Sequence, residues 1–389
     1  MTSNSGHILI VDDHKMNRLK ISMAVKNLGH TTTLAENGRR ALDIMQIQAV
    51  DLVLLDIIMP ELDGYQVLAE MKSQTHLRDI PVIIISGQEE LASIIKAIEL
   101  GAEDYLPRTF DPILLKARIG ACLEKKRLRD QQAATLAQLN TENKRKSAEL
   151  EKARAIQRAM LPATTPALAH LDIAAWQETA SEVGGDYYDF FTRAGGKQLI
   201  ILGDATGHGV SSALMVSMTK ALLLAHRDHE IKQLLDELNA ILCKLGLGKQ
   251  LNMALLLLEM VVRPDGRIAV SAGGGGLPPI YILKPTGSVT EIIISGLPLG
   301  ITAEAVYQPT LFELAPGEAI VLMSDGVIER FNDSGRFLGY GRLCQALRQI
   351  NLLESDANAI LDYIKQVGAD WAAGHPLHDD VTIVVVKAT

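Results

Sequence analysis

DLVLLDIIMPELDG, residues 51–64, decides the fold of the first third of this 389-residue chain. Its apolar run at 52–55 is continuous rather than alternating, which marks a strand buried on both faces, and it stops at Asp56 before a Met-Pro turn. HILIVDD at 7–13 and PVIIISG at 81–87 have the same form. Amphipathic stretches, NRLKISMAVKNLG at 17–29 and ELASIIKAIELGA at 90–102, alternate with them. Strand-helix alternation predicts a doubly wound, flavodoxin-like α/β domain: a parallel five-stranded sheet with helices on both faces. Ligands of such a sheet bind at the carboxyl ends of its strands.

That edge collects acids. Asp12 and Asp13 follow the first strand and Asp56 ends the third. Three packed carboxylates repel unless a divalent cation neutralises them, and an all-oxygen set suits Mg²⁺. Asp56 is then placed to attack phosphorus and carry an acyl phosphate, and Ser86, ending IIIS, can hydrogen-bond the added group. A single aspartate at a strand end is more simply a helix cap. Three of them, followed by MPELDG, favour the phosphate-accepting site.

Over roughly residues 7–122 the chain resembles the response-regulator receiver family. VDD at 11–13, LLDIIMPELDG at 54–64, IIISG at 83–87 and GAEDYLPRTF at 101–110 carry the likeness. The resemblance implies phosphorylation of Asp56 by a sensor histidine kinase or phosphotransfer protein. It also implies Mg²⁺ on Asp13, Asp56 and the Ile58 carbonyl, with Asp12 behind them, Ser86 as switch hydroxyl and Tyr105 as switch aromatic. One departure stands out: Arg108-Thr109 replaces the usual Lys-Pro. Arg is planar and larger than Lys, so the swap is not conservative. Arg108 either keeps a charge beside the phosphoryl group or is displaced to the surface; both readings stay open.

Between Pro112 and Pro162 the only glycine is Gly120, and helix formers dominate. One heptad row reads Leu115, Cys122, Arg129, Leu136, Asn143, Leu150 and Gln157. Its partner row reads Ile119, Lys126, Ala133, Asn140, Ser147, Arg154 and Leu161. Apolar residues fill only part of this seam, so the segment is either a marginal coiled coil that pairs two copies into a homodimer or a solvated helical spacer. The expected division is a receiver domain at 1–122, a helical linker at 123–161 and a second domain at 162–389.

The second domain has acids beside glycines at four separated places: VGGDYYD (Asp186), GDATGHG (Asp204), MSDGVIE (Asp325) and HDDVT (Asp379, Asp380). Each lies at the end of a predicted strand. Several hard carboxylates without Cys, and without paired His spacing, select Mg²⁺ or Mn²⁺ over Zn²⁺. Two such metals about 4 Å apart share a bridging water and lower its pKa, which suits hydrolysis of a phosphate ester. Taken singly, each acid could equally be a turn or cap residue.

Residues 151–389 resemble the bacterial sporulation-phosphatase branch of the metal-dependent (PPM) protein phosphatases. The segments are ARAIQRAMLP at 153–162, VGGDYYDF at 183–190, LGDATGHGVSSAL at 202–214, GLPLG at 296–300, MSDGVIERFNDSGRFLG at 323–339 and HDDVTIVVV at 378–386. The resemblance implies an α+β domain of two antiparallel sheets flanked by helices. Asp204 would bridge two metals, with the Ala205 carbonyl on one, Asp325 and Asp379 on the other, and Asp186 completing the site. Asp380 is the weaker ligand candidate, and His208 is either a general acid or structural. GGGG at 273–276 stands where relatives often have Ala-Gly-His, and the usual Pro before VGGD is replaced near Thr179. The implied substrate is a phosphoserine or phosphothreonine on an anti-sigma-factor antagonist. The competing function is a silent adaptor that holds a sigma factor or its regulator.

The totals narrow the rest. A formal charge of −8 disfavours nucleic acid as partner. Cys122, Cys243 and Cys344 lie too far apart for a metal motif and read as reduced thiols. MTSNSGHILIVDD has no signal-peptide pattern, and the apolar run near MALLLLEMVV is short and holds Glu259, so no membrane span is expected. A cytoplasmic protein is the expectation.

Overall fold

A computed structural model describes residues 5–87, 91–207, 209–247 and 250–389. They form two compact units that divide between Asn143 and Lys144, inside one long helix.

The first unit runs β1 (His7–Val11), α1 (Lys15–Asn27), β2 (Thr31–Ala35), α2 (Gly38–Ile47) and β3 (Leu52–Asp56). It continues through α3 (Gly64–Ser73), β4 (Val82–Ser86), α4 (Leu91–Glu99), β5 (Asp104–Pro107) and α5 (Pro112–Met160). The strands are parallel in the order β2-β1-β3-β4-β5. Every residue of β3 and β4 is buried, as the continuous apolar runs require. Alternate side chains serve opposite faces: Leu9, Val11, Val53 and Leu55 pack with α2 and α3, while Ile8, Ile10, Leu52 and Leu54 pack with α1 and the start of α5. Each fully buried aliphatic side chain contributes roughly 1.5–3 kcal/mol.

Leu115, Ile119 and Cys122, the leading members of both heptad rows, belong to that second core. They are therefore not available to a coiled-coil seam. From residue 127 to 149 the helix is exposed throughout. Its exposed leucines are Leu128, Leu136 and Leu139, of which only Leu136 lies on an expected row. Pairs such as Arg127–Glu124 and Arg145–Glu149 line this stretch and add only a few tenths of a kcal/mol each. In the single chain the middle of α5 is a solvated helix. Among the described residues no helix is long and apolar enough to cross a membrane.

The second unit begins with β6 (Leu171–Glu178), β7 (Asp186–Thr192), β8 (Gln198–Ala205), α6 (Val210–Ala225) and α7 (Ile231–Lys244). Then come β9 (Met253–Val262), β10 (Ile268–Gly275), β11 (Ile280–Leu283), β12 (Val289–Ile292) and β13 (Thr310–Leu314). β14 (Ala319–Met323), α8 (Gly339–Leu347), α9 (Ala357–Ala372) and β15 (Val381–Ala388) complete it. Two antiparallel sheets result, ordered β13-β10-β9-β8-β7 and β12-β11-β14-β15-β6. Their inner faces interdigitate through Ile200, Leu202, Leu256 and Leu258 from one sheet and Ile173, Ile280, Ile320 and Val384 from the other. α6 and α7 cover one outer face, and α8 and α9 the other. This is the expected α+β sandwich.

The GGGG run is explained by packing: a Cβ on Gly274 would lie 1.8 Å from the Leu255 carbonyl oxygen on the neighbouring strand. Gly326 is similarly confined, its Cβ position being 2.0 Å from the Asp380 carbonyl oxygen. Gly326→Ala must therefore move backbone that carries the neighbouring acids. Its expected cost is at least about 1–3 kcal/mol, seen as a lower midpoint in thermal unfolding.

Candidate functional site

Strand register assembles the receiver acids. Val11 pairs with Leu55, so Asp12 and Asp56 continue side by side off β1 and β3, both only 1 % exposed. Asp13 is half-buried, and Ile58 is exposed on the loop after β3. Pro107 pairs with Ser86, and the next residue, Arg108, donates from its guanidinium to Asp56 Oδ2 at 2.5 Å. Arg108 is thus in the site, not displaced from it. Asp56 Oδ1 accepts the Ile57 N–H at 2.9 Å. Burial pushes the Asp56 carboxyl up to about 6; Arg108 opposes the rise, while Asp12 and Asp13 add to it.

Ser86 is buried, and Tyr105 donates its hydroxyl to the Ser86 carbonyl at 3.3 Å. Asp12 Oδ1 accepts the His14 N–H at 2.7 Å, whereas its buried Oδ2 has no protein partner. Oxygens of Asp12 and Asp13 and a ring nitrogen of His14 lie within 4.8 Å of one another, a group that does not include Asp56. An orphaned carboxylate oxygen among acids suits a hard divalent cation, so Mg²⁺ fits. Arg108→Ala is expected to remove the strongest opposition to the burial of Asp56, leaving the Ile57 N–H bond, and so raise its pKa further. The pH at which a small phosphodonor half-labels Asp56 should then move upward, as a labelling-versus-pH titration would read.

In the second unit Asp186 lies directly opposite Asp204 across β7 and β8, and Ala205 ends β8. From the other sheet, Asp325 follows the end of β14, and Asp379 and Asp380 immediately precede β15. Hydrogen bonds join the two edges. Thr382 donates its hydroxyl to Asp186 Oδ2 at 2.6 Å, and the N–H groups of Ala180 and Gly185 donate to the Asp380 carboxylate.

The acids act on one another electrostatically. Burial, then the charges of Asp186, Asp325, Asp379 and Asp380, raise the Asp204 carboxyl far above its ordinary value. Asp186 is raised by burial against hydrogen bonds from Thr382 and Ser324, with Asp380 and Asp325 adding to the rise. Asp325 is pushed up to about 6, by burial first and then by Asp379 and Glu329. Among the described residues no cation pairs with Asp186, Asp204, Asp325 or Asp379. Among the described residues these four are not found in a group of three with ligand atoms within 4.8 Å of one another. A desolvated, uncompensated set of hard oxygens fits Mg²⁺ or Mn²⁺.

The two adjacent aspartates have separate jobs. Asp380 is buried, and its carboxylate accepts N–H groups from Ala180, Gly185 and Asp186, fastening the VGGD loop. Asp379 is exposed and accepts the Asp380 N–H, at 2.8 Å. His208 lies outside the described residues. Beside Asp379 a cleft of about 130 Å³ is lined by Glu329, Arg330, Phe331, Phe337 and His378.

Sequence reasoning missed Gln157, which it placed on a heptad row. The side chain is 9 % exposed; its Nε2 donates to the Gly184 carbonyl at 2.7 Å, and the Gly184 N–H donates to its Oε1 at 3.0 Å. Gly184 is two residues from Asp186. Further along, Lys220 donates to the Met160 carbonyl and pairs with Asp189 at 2.9 Å, while Leu161 packs into the α6–α7 core. Within the second unit, the end of α5 is locked to the backbone that presents Asp186. A lone Gln in ARAIQRAMLP was the only signal, and nothing local distinguishes it from a surface Gln.

A family model described as Stage II sporulation protein E (SpoIIE) matches residues 194–389, and one described as response regulator receiver domain matches residues 8–120. The probable transcriptional regulator ycf27 of Cyanidium caldarium is 38% identical over 119 residues, 31% of this chain and 47% of that protein. Response regulator MprA of Mycobacterium ulcerans (strain Agy99) is 32% identical over 130 residues, 33% of this chain and 55% of that protein. The chain thus spans about half the length of the curated relatives it matches. The SiaA-PP2C domain of Pseudomonas aeruginosa has the same fold, with a TM-score of 0.54 at 24% identity over 64% of this chain and 98% of that one.

Proposed function

The chain belongs to the Stage II sporulation protein E (SpoIIE) family and carries a response regulator receiver domain, and we propose that phosphorylation of Asp56 controls a metal-dependent phosphoserine/phosphothreonine phosphatase. The observation that carries this reading is the set of raised, unpaired carboxylates where the two sheet edges meet.

Asp204, Asp325 and Asp379 would hold the divalent cations, with the Ala205 carbonyl as a neutral ligand and Asp186 completing the set. Bound Mg²⁺ or Mn²⁺ supplies the positive charge this cluster lacks, polarising phosphoryl oxygens and activating water. The protein's own groups do the positioning. Thr382 orients Asp186, Asp380 pins the VGGD loop, and Gln157 holds the backbone at Gly184. The cleft beside Asp379 offers Phe331, Phe337 and His378 to residues flanking a phosphorylated side chain.

In the receiver, Asp13, Asp56 and the Ile58 carbonyl would hold Mg²⁺ with Asp12 behind them, and a histidine kinase or phosphotransfer protein would supply the phosphoryl group. Phosphorylation would turn the Asp56 carboxylate that accepts from Arg108 into an acyl phosphate, with the added phosphoryl oxygens beside that guanidinium, so Ser86, Tyr105 and Arg108 form the responding set. The proposed substrate is a phosphorylated anti-sigma-factor antagonist. The exposed leucines of α5 are where a second copy would pair.

The test is hydrolysis of a phosphoserine peptide by the full chain in Mn²⁺, with and without beryllofluoride as phosphoryl mimic. Turnover that requires Mn²⁺ and changes with beryllofluoride is expected. Absence of turnover with retained binding of a sigma factor or its regulator would establish the adaptor reading instead.

A further inference from the structure

Away from the acid cluster, where α6 hands over to α7, three side chains converge on one point. His226 caps the end of α6, His229 follows in the turn, and Glu237 rises from the second turn of α7. His226 Nδ1 lies 3.0 Å from Glu237 Oε2, and His229 Nδ1 lies 2.7 Å from the same oxygen. One ligand atom from each residue falls within 4.8 Å of the others, and the rings sit 5.3 Å apart between centroids. The side chains are 30%, 37% and 33% exposed, so the group is walled on one side and reachable from solvent on the other.

We propose that His226, His229 and Glu237 form a binding site for a borderline divalent transition cation, Zn²⁺ in the first instance, distinct from the carboxylate site. Two imidazoles and one carboxylate are a donor set suited to Zn²⁺, and one ligand atom of each already lies within 4.8 Å of the others. The same set is poor for Mg²⁺, which prefers oxygen ligands. Gln233 donates to the other oxygen of Glu237, Oε1, at 2.9 Å and so presents Oε2 to the histidines. Orientation of a ligating carboxylate by an outer hydrogen bond is a common feature of built metal sites. In the metal-bound form each ring carries its proton on Nε2, leaving both Nδ1 atoms as donors.

The consequence is mechanical. α6 is the next helix after β8, the strand that carries Asp204, and its Lys220 holds both Met160 and Asp189. A cation at the α6–α7 turn would cross-link the far end of that helix to α7 and stabilise the folded unit by mass action. This site does not depend on the phosphatase reading and can be judged without it.

Calorimetric titration of the full chain with Zn²⁺, in excess Mg²⁺ to occupy oxygen sites, is the test. One Zn²⁺ per chain is expected, with X-ray absorption showing two imidazoles in its shell and a higher melting temperature on loading. Loss of an outer partner already costs about 10–100-fold in metal affinity, so His226→Ala and His229→Ala should each weaken binding at least about tenfold. Glu237→Gln keeps the shape and the Gln233 contact, and serves as the variant that folds while losing the anionic ligand. Asp204→Asn should leave this Zn²⁺ in place. Unchanged binding in the three site variants, no stoichiometric Zn²⁺ in the parent, or loss of the ion only in Asp204→Asn would each overturn the proposal.

Discussion

Asp204→Asn is expected to abolish phosphate-ester hydrolysis while making the metal-free protein more heat-stable at neutral and alkaline pH. Asp204 stands at the centre of the cluster, opposite Asp186 and under the fields of Asp325, Asp379 and Asp380. Removing one preorganised electrostatic contact in a catalytic site costs about 10²–10³-fold in rate, and loss of Asp204, if it holds cations as proposed, should cost at least that much.

The stability change has the opposite sign for a clear reason. Burial and repulsion raise the carboxyls of Asp204 and Asp186 in the folded chain. In the unfolded chain an aspartate releases its proton near pH 4. Above that pH the folded state holds protons that the unfolded state has lost, so the contribution of these groups to the stability of the metal-free protein is greatest in acid. It falls as pH rises through the raised folded-state values. Asp325, pushed up to about 6, contributes its share of the fall by that pH. An uncharged Asn removes much of the repulsion, and loaded metal should remove it too. Thermal melts in chelator between about pH 5 and pH 9 would show the parent losing stability with pH and Asp204→Asn losing less. A parent whose melting point rises across that range would contradict the account. The trade of stability for an ionised site is the usual one in active centres.

Gln157→Ala should be the most damaging change outside the acids. Its amide makes two hydrogen bonds to a single buried residue, Gly184, and truncation leaves both backbone groups unsatisfied. The expected cost is about 1–3 kcal/mol in stability. Activity should fall about 10–100-fold, as for loss of groups that orient metal ligands. The loss should show chiefly as a higher Mn²⁺ concentration for half-maximal rate, because what fails is the placement of Asp186. Gln157→Glu keeps the acceptor for the Gly184 N–H and loses the donor to its carbonyl, so it should fall between. A Gln157→Ala protein with the parent's Mn²⁺ dependence would show that α5 ends against the second unit without influencing its site.

Much of this protein was legible in the chain because its strands are written plainly. The run at 52–55 is apolar at every position, and a strand buried on both faces has no other way to be encoded. Acids at or just past strand ends, Asp12, Asp56, Asp204 and Asp325, were readable for the same reason: the edge of a sheet is where a side chain is held rigidly yet reaches open space. What periodicity misjudged was α5. Leu115, Ile119 and Cys122 fit a heptad because a helix packed on a sheet and a helix paired with another both present one apolar stripe.

The sequence by itself therefore determined the two folds, the order of their elements and which strand ends bear carboxylates. Tertiary structure alone decided what each of those groups touches. Asp379 and Asp380 are neighbours in the chain, but a backbone that turns between them leaves one exposed and gives the other three N–H donors from a loop nearly 200 residues away. Arg108 meets Asp56 across 52 positions, and Gln157 meets Gly184 across 27. Local propensity records the conformation of a segment, whereas hydrogen-bond partners at such separations depend on the register of whole sheets, and no stretch of chain contains that register.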